Sequence, residues 1–230
     1  MIAVGTATAA FENSSQASSG YVHRGSSHRY HSSSFSEDLG NLNLHGSDSY
    51  GLKKVRKYIH QYTTEYGWAA HFYEAGRYAR IQTCKAIFRA EGVPEDLCWT
   101  MLVESKFESY AQSETGANGY WQFEPGTAAQ YCPTARLSSV VDSSKCAAKY
   151  LKELHSETSS WALALAAYNG GPGTLGWAIN RSGSHDFWSI CQDGSLLTYQ
   201  TREYVPQVLA AIEVGNHPSK YGFKIPGINE

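Results

Sequence analysis

The stretch Val103–Thr127, VESKFESYAQSETGANGYWQFEPGT, sets the strongest limit on how this chain can fold. It joins an acid at the end of an apolar run to a glycine-punctuated turn, and then to an amide flanked by aromatics. The run before it opens at Pro94, a favourable first-turn residue, and carries Leu97, Met101 and Leu102 at helical spacing. A helix with that pattern buries one side, which draws Glu104 into a half-desolvated place. Lost hydration and the negative end of the helix dipole both disfavour a carboxylate there, so its pKa rises and a protonated acid persists near neutral pH. That is the property a general acid needs. The bland alternative is a solvated Glu on an ordinary helix.

The remaining sequence reads as a helical frame for this residue. Val55, Tyr58, Ile59 and Tyr62 recur at three- and four-residue spacing from Gly51 on, predicting an amphipathic helix at the start of the domain. A second helix is predicted around His71 to Arg80, and a third from Arg80 to Ala90 with Ile81, Cys84, Ile87 and Phe88 on one face. Gly92 ends it. YAQSETGANG has no period and is rich in turn formers, so it is a loop across the acid's end of a cleft. Helices follow over Pro125 to Tyr131, Ser143 to Leu154 and Ser160 to Tyr168. Ile179 to Thr198 reads as an irregular surface excursion. TREYVPQVLAAIEVG forms the last long helix, with Pro206 near its start, where a missing N–H costs little.

Composition enters mainly through what it excludes. With 230 residues, 42% of them hydrophobic, the chain can bury one sizeable core, and a net charge of -2 gives no nucleic-acid footprint. No apolar run approaches the roughly 20 residues needed to span a bilayer. IAVGTATAA lacks a basic n-region and a long apolar stretch, so the start resembles a trimmed chain more than an intact leader. Residues 1–49, rich in Ser, Gly, His and Asn, bury too little to offset their ordering entropy and are expected to form a flexible arm before a domain over 50–230. His23, His28 and His31 lack Cys or Glu at ligand spacing and read as part of a polar linker rather than a metal site.

Four motifs occur in order: VES, then Ser113 with GANGYWQFEPGTA, then LAAYNGGPG, then TREYVPQVLAA. The set resembles the soluble lytic transglycosylases, most closely their membrane-bound-D type, within the goose-type lysozyme superfamily, over roughly residues 51 to 215. The resemblance implies an all-α, lysozyme-like helical domain with a substrate cleft. Its implied reaction is cleavage of the β-1,4 bond between N-acetylmuramic acid and N-acetylglucosamine in peptidoglycan, with Glu104 as acid/base. It also implies Tyr204 beside the acid, Ser113 facing the sugar next to the scissile bond, and Tyr168 and Asn169 toward the substrate. Read without it, Tyr168 and Asn169 serve equally well as a helix end. Gly116 and Gly119 either let the backbone approach a ligand or make a plain turn. Gln122 has an amide suited to a hydroxyl or acetamido group, while Trp121 and Phe123 are mainly core. The expected partner is a peptidoglycan strand met by a monomer in the periplasm or outside the cell, without metal or cofactor.

Two residues depart from the family pattern. Glu114 stands where Pro is usual, and Glu124 where Met or Ile precedes the motif proline. A transglycosylase needs one acid/base, because the acetamido group and 6-hydroxyl of the muramyl sugar complete the reaction; a hydrolase normally uses two carboxylates. Glu124 is therefore a candidate base or nucleophile, and Glu114 and Glu124 together favour N-deacetylated, cationic glycan. The competing view makes both solvated rim charges. A non-catalytic peptidoglycan-binding module for wall anchoring or assembly is the alternative function, against which the full acid, serine, glutamine and tyrosine set argues.

Five cysteines, 84, 98, 132, 146 and 191, show no CxxC, and an odd number leaves at least one unpaired within the chain. Cys132 and Cys146 are either bridged, which would suit an oxidising exterior, or free. Cys84 and Cys98 read as small core residues.

Overall fold

The computed structural model describes residues 50–65, 72 and 75–223, and among these it is helical without a named strand. The expected arm and the histidines within it lie outside the described residues, as does the start of the helix expected from His71. The helices are α1 (Tyr50–Thr64), α2 (Ala75–Glu91), α3 (Thr100–Ser105), α4 (Pro125–Tyr131), α5 (Val140–Thr158), α6 (Trp161–Gly170), α7 (Pro172–Ser182), α8 (Phe187–Gln192) and α9 (Tyr199–Asn216). Short 3-10 turns at Glu95–Trp99 and Pro218–Tyr221 complete the set.

The centre of the molecule is α6, WALALAAYNG, which is apolar on every side. A helix without a polar face must be enclosed, and Trp161 through Ala167 are all buried, with α5, α7 and α9 packed around them. Its ends are fixed locally. Ser160 Oγ accepts from the Leu163 amide at the start, and Gly171, at φ 86°, turns the chain away at the finish. Helix α5 is capped in the same way by Ser139, which accepts from the Asp142 amide at 3.2 Å.

Helix α1 buries Leu52, Val55, Tyr58 and Tyr62 and docks on α9, so the first and last described helices are neighbours. Their contact contains an ionic knot that the sequence reading did not find. The buried Glu203 accepts from Lys54, from Tyr58 Oη at 2.7 Å and from Lys57 at 3.2 Å. At the far end of α9, Asn216 Oδ1 accepts from Trp99 Nε1 at 3.0 Å, and Gly215 lies flat on the Trp99 ring. A Cβ at Gly215 would enter that ring. Overpacking of this kind costs about 1–3 kcal/mol, against about 1 kcal/mol gained in helix propensity. Gly215→Ala is therefore expected to lower stability by up to about 2 kcal/mol in urea unfolding, the reverse of the usual Gly-to-Ala gain in a helix.

Several sequence expectations are corrected. The two helices expected on either side of Arg80 are a single helix, α2, because no breaker interrupts AGRYARIQTCKAIFRAE. Ile179 to Thr198 is not an irregular excursion: α7 runs on to Ser182, α8 follows, and Phe187, Ile190, Cys191, Leu196 and Leu197 are core. Its apolar residues are too few per turn to declare a period, yet they fill the gap between α1 and α6. Pro206 is not near a helix start, since Thr198 caps α9 and places Pro206 in its interior. A proline there leaves the Arg202 carbonyl without its amide donor. The thiol of Cys191 takes that place, donating to Arg202 O at 3.6 Å.

Cys84 and Cys98 are also corrected: they form a disulfide, not a pair of separate core thiols. The turn at Gly92 folds the 3-10 segment back along α2 and brings their Cα atoms to 5.9 Å. Cys132 and Cys146, left open by the sequence, are bonded as well, with Cα atoms 5.6 Å apart. Cys191 is the free, buried cysteine.

Candidate active site

Helix α3 is six residues long and ends just past the acid. Lys106 and Phe107 both adopt left-handed backbone, φ 52° and 62°, and reverse the chain immediately after Ser105. Ser105 Oγ donates to Tyr120 O at 2.8 Å, which clips the returning loop onto the helix end. Between these points the loop is organised by short bridges, Gln112 to Asn118 and Asn118 to Phe123. Trp121 anchors it from beneath, stacked on Phe88 at 5.3 Å with Nε1 donating to Ser144 Oγ.

A cleft opens where this loop meets α5 and α6. It is lined by Glu104, Gln122, Phe123, Glu124, Thr127, Tyr150, Tyr168 and Asn169. Five of these are residues singled out from sequence as candidates: Glu104, Gln122, Glu124, Tyr168 and Asn169. Phe123 was expected to be core. It is buried, yet it also forms part of the wall, with its ring 6.0 Å from Tyr168 and 6.4 Å from Tyr150. Thr127 and Tyr150 were missed. Tyr150 comes from KYLKEL in α5, where periodicity marks an inward face without saying that the face ends at a cleft.

Glu104 is only partly accessible. Burial pushes its pKa up to about 7, while a hydrogen bond from Tyr204 Oη to Oε1 pulls in the opposite direction. The neighbouring hydroxyls are fixed as donors. Burial, then the proximity of Glu104, raises both Tyr168 and Tyr204 well above the ordinary tyrosine value. Tyr168 donates to Trp121 O at 2.7 Å. Asn169 Oδ1 accepts from Thr201 Oγ1 at 3.1 Å, tying α6 to α9 beneath the cleft. An acid half protonated near neutrality, with a tyrosine on one oxygen, is suited to deliver and recover a proton.

The other candidates are placed differently. Gln122 spends its amide nitrogen on the loop, donating to Ala111 O and Gly119 O at 2.9 Å each, so Oε1 is what it presents to a ligand. The close backbone approach at Gly119, φ 76°, is to Leu137 of this same chain, where any Cβ would collide. Ser113 and Glu114 lie on the outer part of the loop, outside the cleft lining, and Glu114 is exposed. Ser113 Oγ accepts from the Ala117 amide at 2.9 Å. Among the described residues no group of three or more His, Cys, Asp or Glu is arranged to hold a metal ion. No described helix is long and apolar enough to cross a membrane.

The fold is that of a lysozyme-like helical domain. Residues 82–191 match the model of the Transglycosylase SLT domain family. It is 31% identical over 152 residues to membrane-bound lytic murein transglycosylase D of Escherichia coli K12, an alignment covering 62% of this chain and 32% of the relative. The same protein of E. coli O6:H1 matches equally. The chain thus spans about a third of the length of the curated relatives it matches. Among solved structures it is similar in fold to the 70 kDa soluble lytic transglycosylase of E. coli, with a TM-score of 0.57 and 20% identity over 80% of this chain and 34% of that one. It is also similar to an inactive mutant of lytic transglycosylase Slt from Pseudomonas aeruginosa, with a TM-score of 0.52 and 18% identity over 80% and 37%.

Proposed function

We propose that this chain is a glycosidase that cleaves the β-1,4 bond between N-acetylmuramic acid and N-acetylglucosamine in peptidoglycan, with Glu104 as acid/base. The observation that carries the reading is the setting of Glu104: a carboxyl group with its pKa near 7, bonded by Tyr204, at the wall of a cleft. Protonated, it gives its proton to the departing glycosidic oxygen; ionised, it then draws a proton from the attacking hydroxyl. Tyr204 keeps one carboxyl oxygen occupied, so the exchange is confined to the other. Gln122 and Asn169 serve as polar contacts to the sugar, and Tyr168 and Tyr150 as its apolar wall. The two disulfides favour action outside the reducing cytoplasm, in the periplasm or beyond.

Glu124 extends the proposal to the outcome of the reaction. It lines the same cleft as Glu104, which supports hydrolysis by two carboxylates and a preference for N-deacetylated, cationic glycan. Glu114, exposed on the outer loop, contributes to that preference only through its charge. The test is a side-by-side digest of acetylated and chemically deacetylated sacculi by wild type and Glu124→Met, with products read by mass. Wild type is expected to act faster on the deacetylated wall and to release reducing ends, while Glu124→Met returns to anhydro-muramyl ends. Equal rates on both walls, with anhydro ends from wild type, would leave one acid and an ordinary lytic transglycosylase.

A further inference from the structure

Glu124 occupies the N-cap position of α4, with extended backbone, yet its side chain caps nothing in that helix. Its carboxylate is turned instead to the loop opposite, where Thr115 Oγ1 lies 2.6 Å from Oε1. Thr115 is in turn 2.8 Å from Ser113 Oγ, and Ser113 Oγ is 2.9 Å from the Ala117 amide. Proton counting orders this chain. Thr115 Oγ1 donates to the Glu124 carboxyl group. Thr115 then has no proton left, so Ser113 donates to Thr115 and accepts from Ala117. Four groups form one directed series, from amide to serine to threonine to carboxylate, and each bond polarises the next.

The series is held by backbone as well. Ser113 N donates to Ala117 O at 2.9 Å and Gly116 N to Ser113 O at 3.1 Å, closing residues 113–117 into a tight turn, with Gly116 at φ 94°. Among the described residues only Oε1 of Glu124 is engaged, which leaves Oε2 for whatever enters the cleft. Thr115 is exposed in the free protein, so the bond adds little to stability. A glycan seated over Glu124 would displace water from it, and a charge-assisted bond strengthens as its surroundings dry.

We propose that Thr115, backed by Ser113, is a positioning residue that holds the Glu124 carboxylate in one orientation toward the glycan. The proposal rests on Glu124 being the second carboxylate of the reaction, and it gives Ser113 a task through Thr115 rather than through the sugar.

The test compares Thr115→Val, Thr115→Ser, Glu124→Met and the Thr115→Val/Glu124→Met double variant in the full chain, on soluble, chemically deacetylated peptidoglycan strands. Valine keeps the shape and removes the hydroxyl. Losing one bond to a charged group is expected to lower kcat about tenfold. Anhydro ends should rise with it on acetylated strands digested in parallel, where the acetamido group is present to assist, and Thr115→Ser should behave as wild type on both. In the Glu124→Met background Thr115→Val should change nothing further, because its partner is already gone. The positioning role alone is overturned if Glu124→Met alters rate and products while Thr115→Val does not, or if the two losses multiply. If Glu124→Met matches wild type in both rate and products, the second-carboxylate reading fails, and the positioning role falls with it.

Discussion

Glu104→Gln is expected to lower cleavage at least a hundredfold while making the folded protein more stable above neutral pH. The first effect follows from the loss of the exchangeable proton, since acid/base groups typically supply about 10²–10⁴ in rate. The second follows from linkage. The pKa of Glu104 is raised on folding from 4.5 to about 7, so the folded state disfavours the ionised form. Below pH 4.5 the group is protonated in both states and costs nothing; between there and 7 its penalty grows, reaching about 3 kcal/mol above the folded value at 1.36 kcal/mol per unit. Glutamine is never ionised and still accepts from Tyr204. Denaturant unfolding at pH 4 and pH 8 should show the variant level with wild type at the first and ahead of it at the second. Wild-type turnover should fall above pH about 7 as the acid loses its proton. A variant that cleaves normally would move the chemistry away from Glu104.

Glu203→Ala is expected to cost about 3–5 kcal/mol at neutral pH, the range for removing one partner of a buried ion pair. Lys54, whose side chain is 18% exposed, loses its carboxylate, and Tyr58 loses its acceptor. Lys57, 56% exposed, is better solvated and adds little. The pH dependence runs opposite to that of Glu104. Burial pushes the Glu203 carboxyl up, but the bonds from Lys54, Tyr58 and Lys57 outweigh it and hold the pKa below the ordinary value. Its stabilisation is therefore present above the unfolded carboxylate value and is lost as pH falls through the folded one. The deficit of the variant should shrink in acid, measured by thermal unfolding from pH 7 down to pH 2. An unchanged melting temperature at pH 7 would mean that α1 is held to α9 by its apolar face alone.

These two glutamates mark what the sequence makes legible. Glu104 stands out because its signals are local: an apolar helical run, a helix end and a loop of turn formers, all within one stretch of chain. Glu203 sits one residue before Tyr204 in a similar helical pattern, but its partners come from α1, and nothing in TREYV announces Lys54 or Tyr58. The same distinction separates the cysteines. Cys84 and Cys98 each read correctly as buried, and their apolar surroundings concealed that the two buried faces meet. In α7 and α8, short helices carry too few apolar residues to show a period. Gly215 looks like an ordinary helix-ending glycine until Trp99 is found against it. Ser113 stands out in the sequence as a candidate to face the sugar, whereas its neighbours, Thr115 and the Ala117 amide, depend on a turn whose shape is set by Gly116.

The contact between Tyr204 and Glu104 joins residues 100 positions apart and is made by the last long helix. A polypeptide is synthesised from its amino end, so Glu104 emerges well before α9 can pack behind it. During that interval the glutamate is hydrated, ionised at neutral pH, and has no proton to give. The burial that raises the acid is complete only when the final helix docks on α3, and a chain cut short before Tyr199 has every loop residue of the cleft yet lacks that part of the enclosure. On the proposed function, completion of the fold is itself the safety catch on a wall-cutting enzyme.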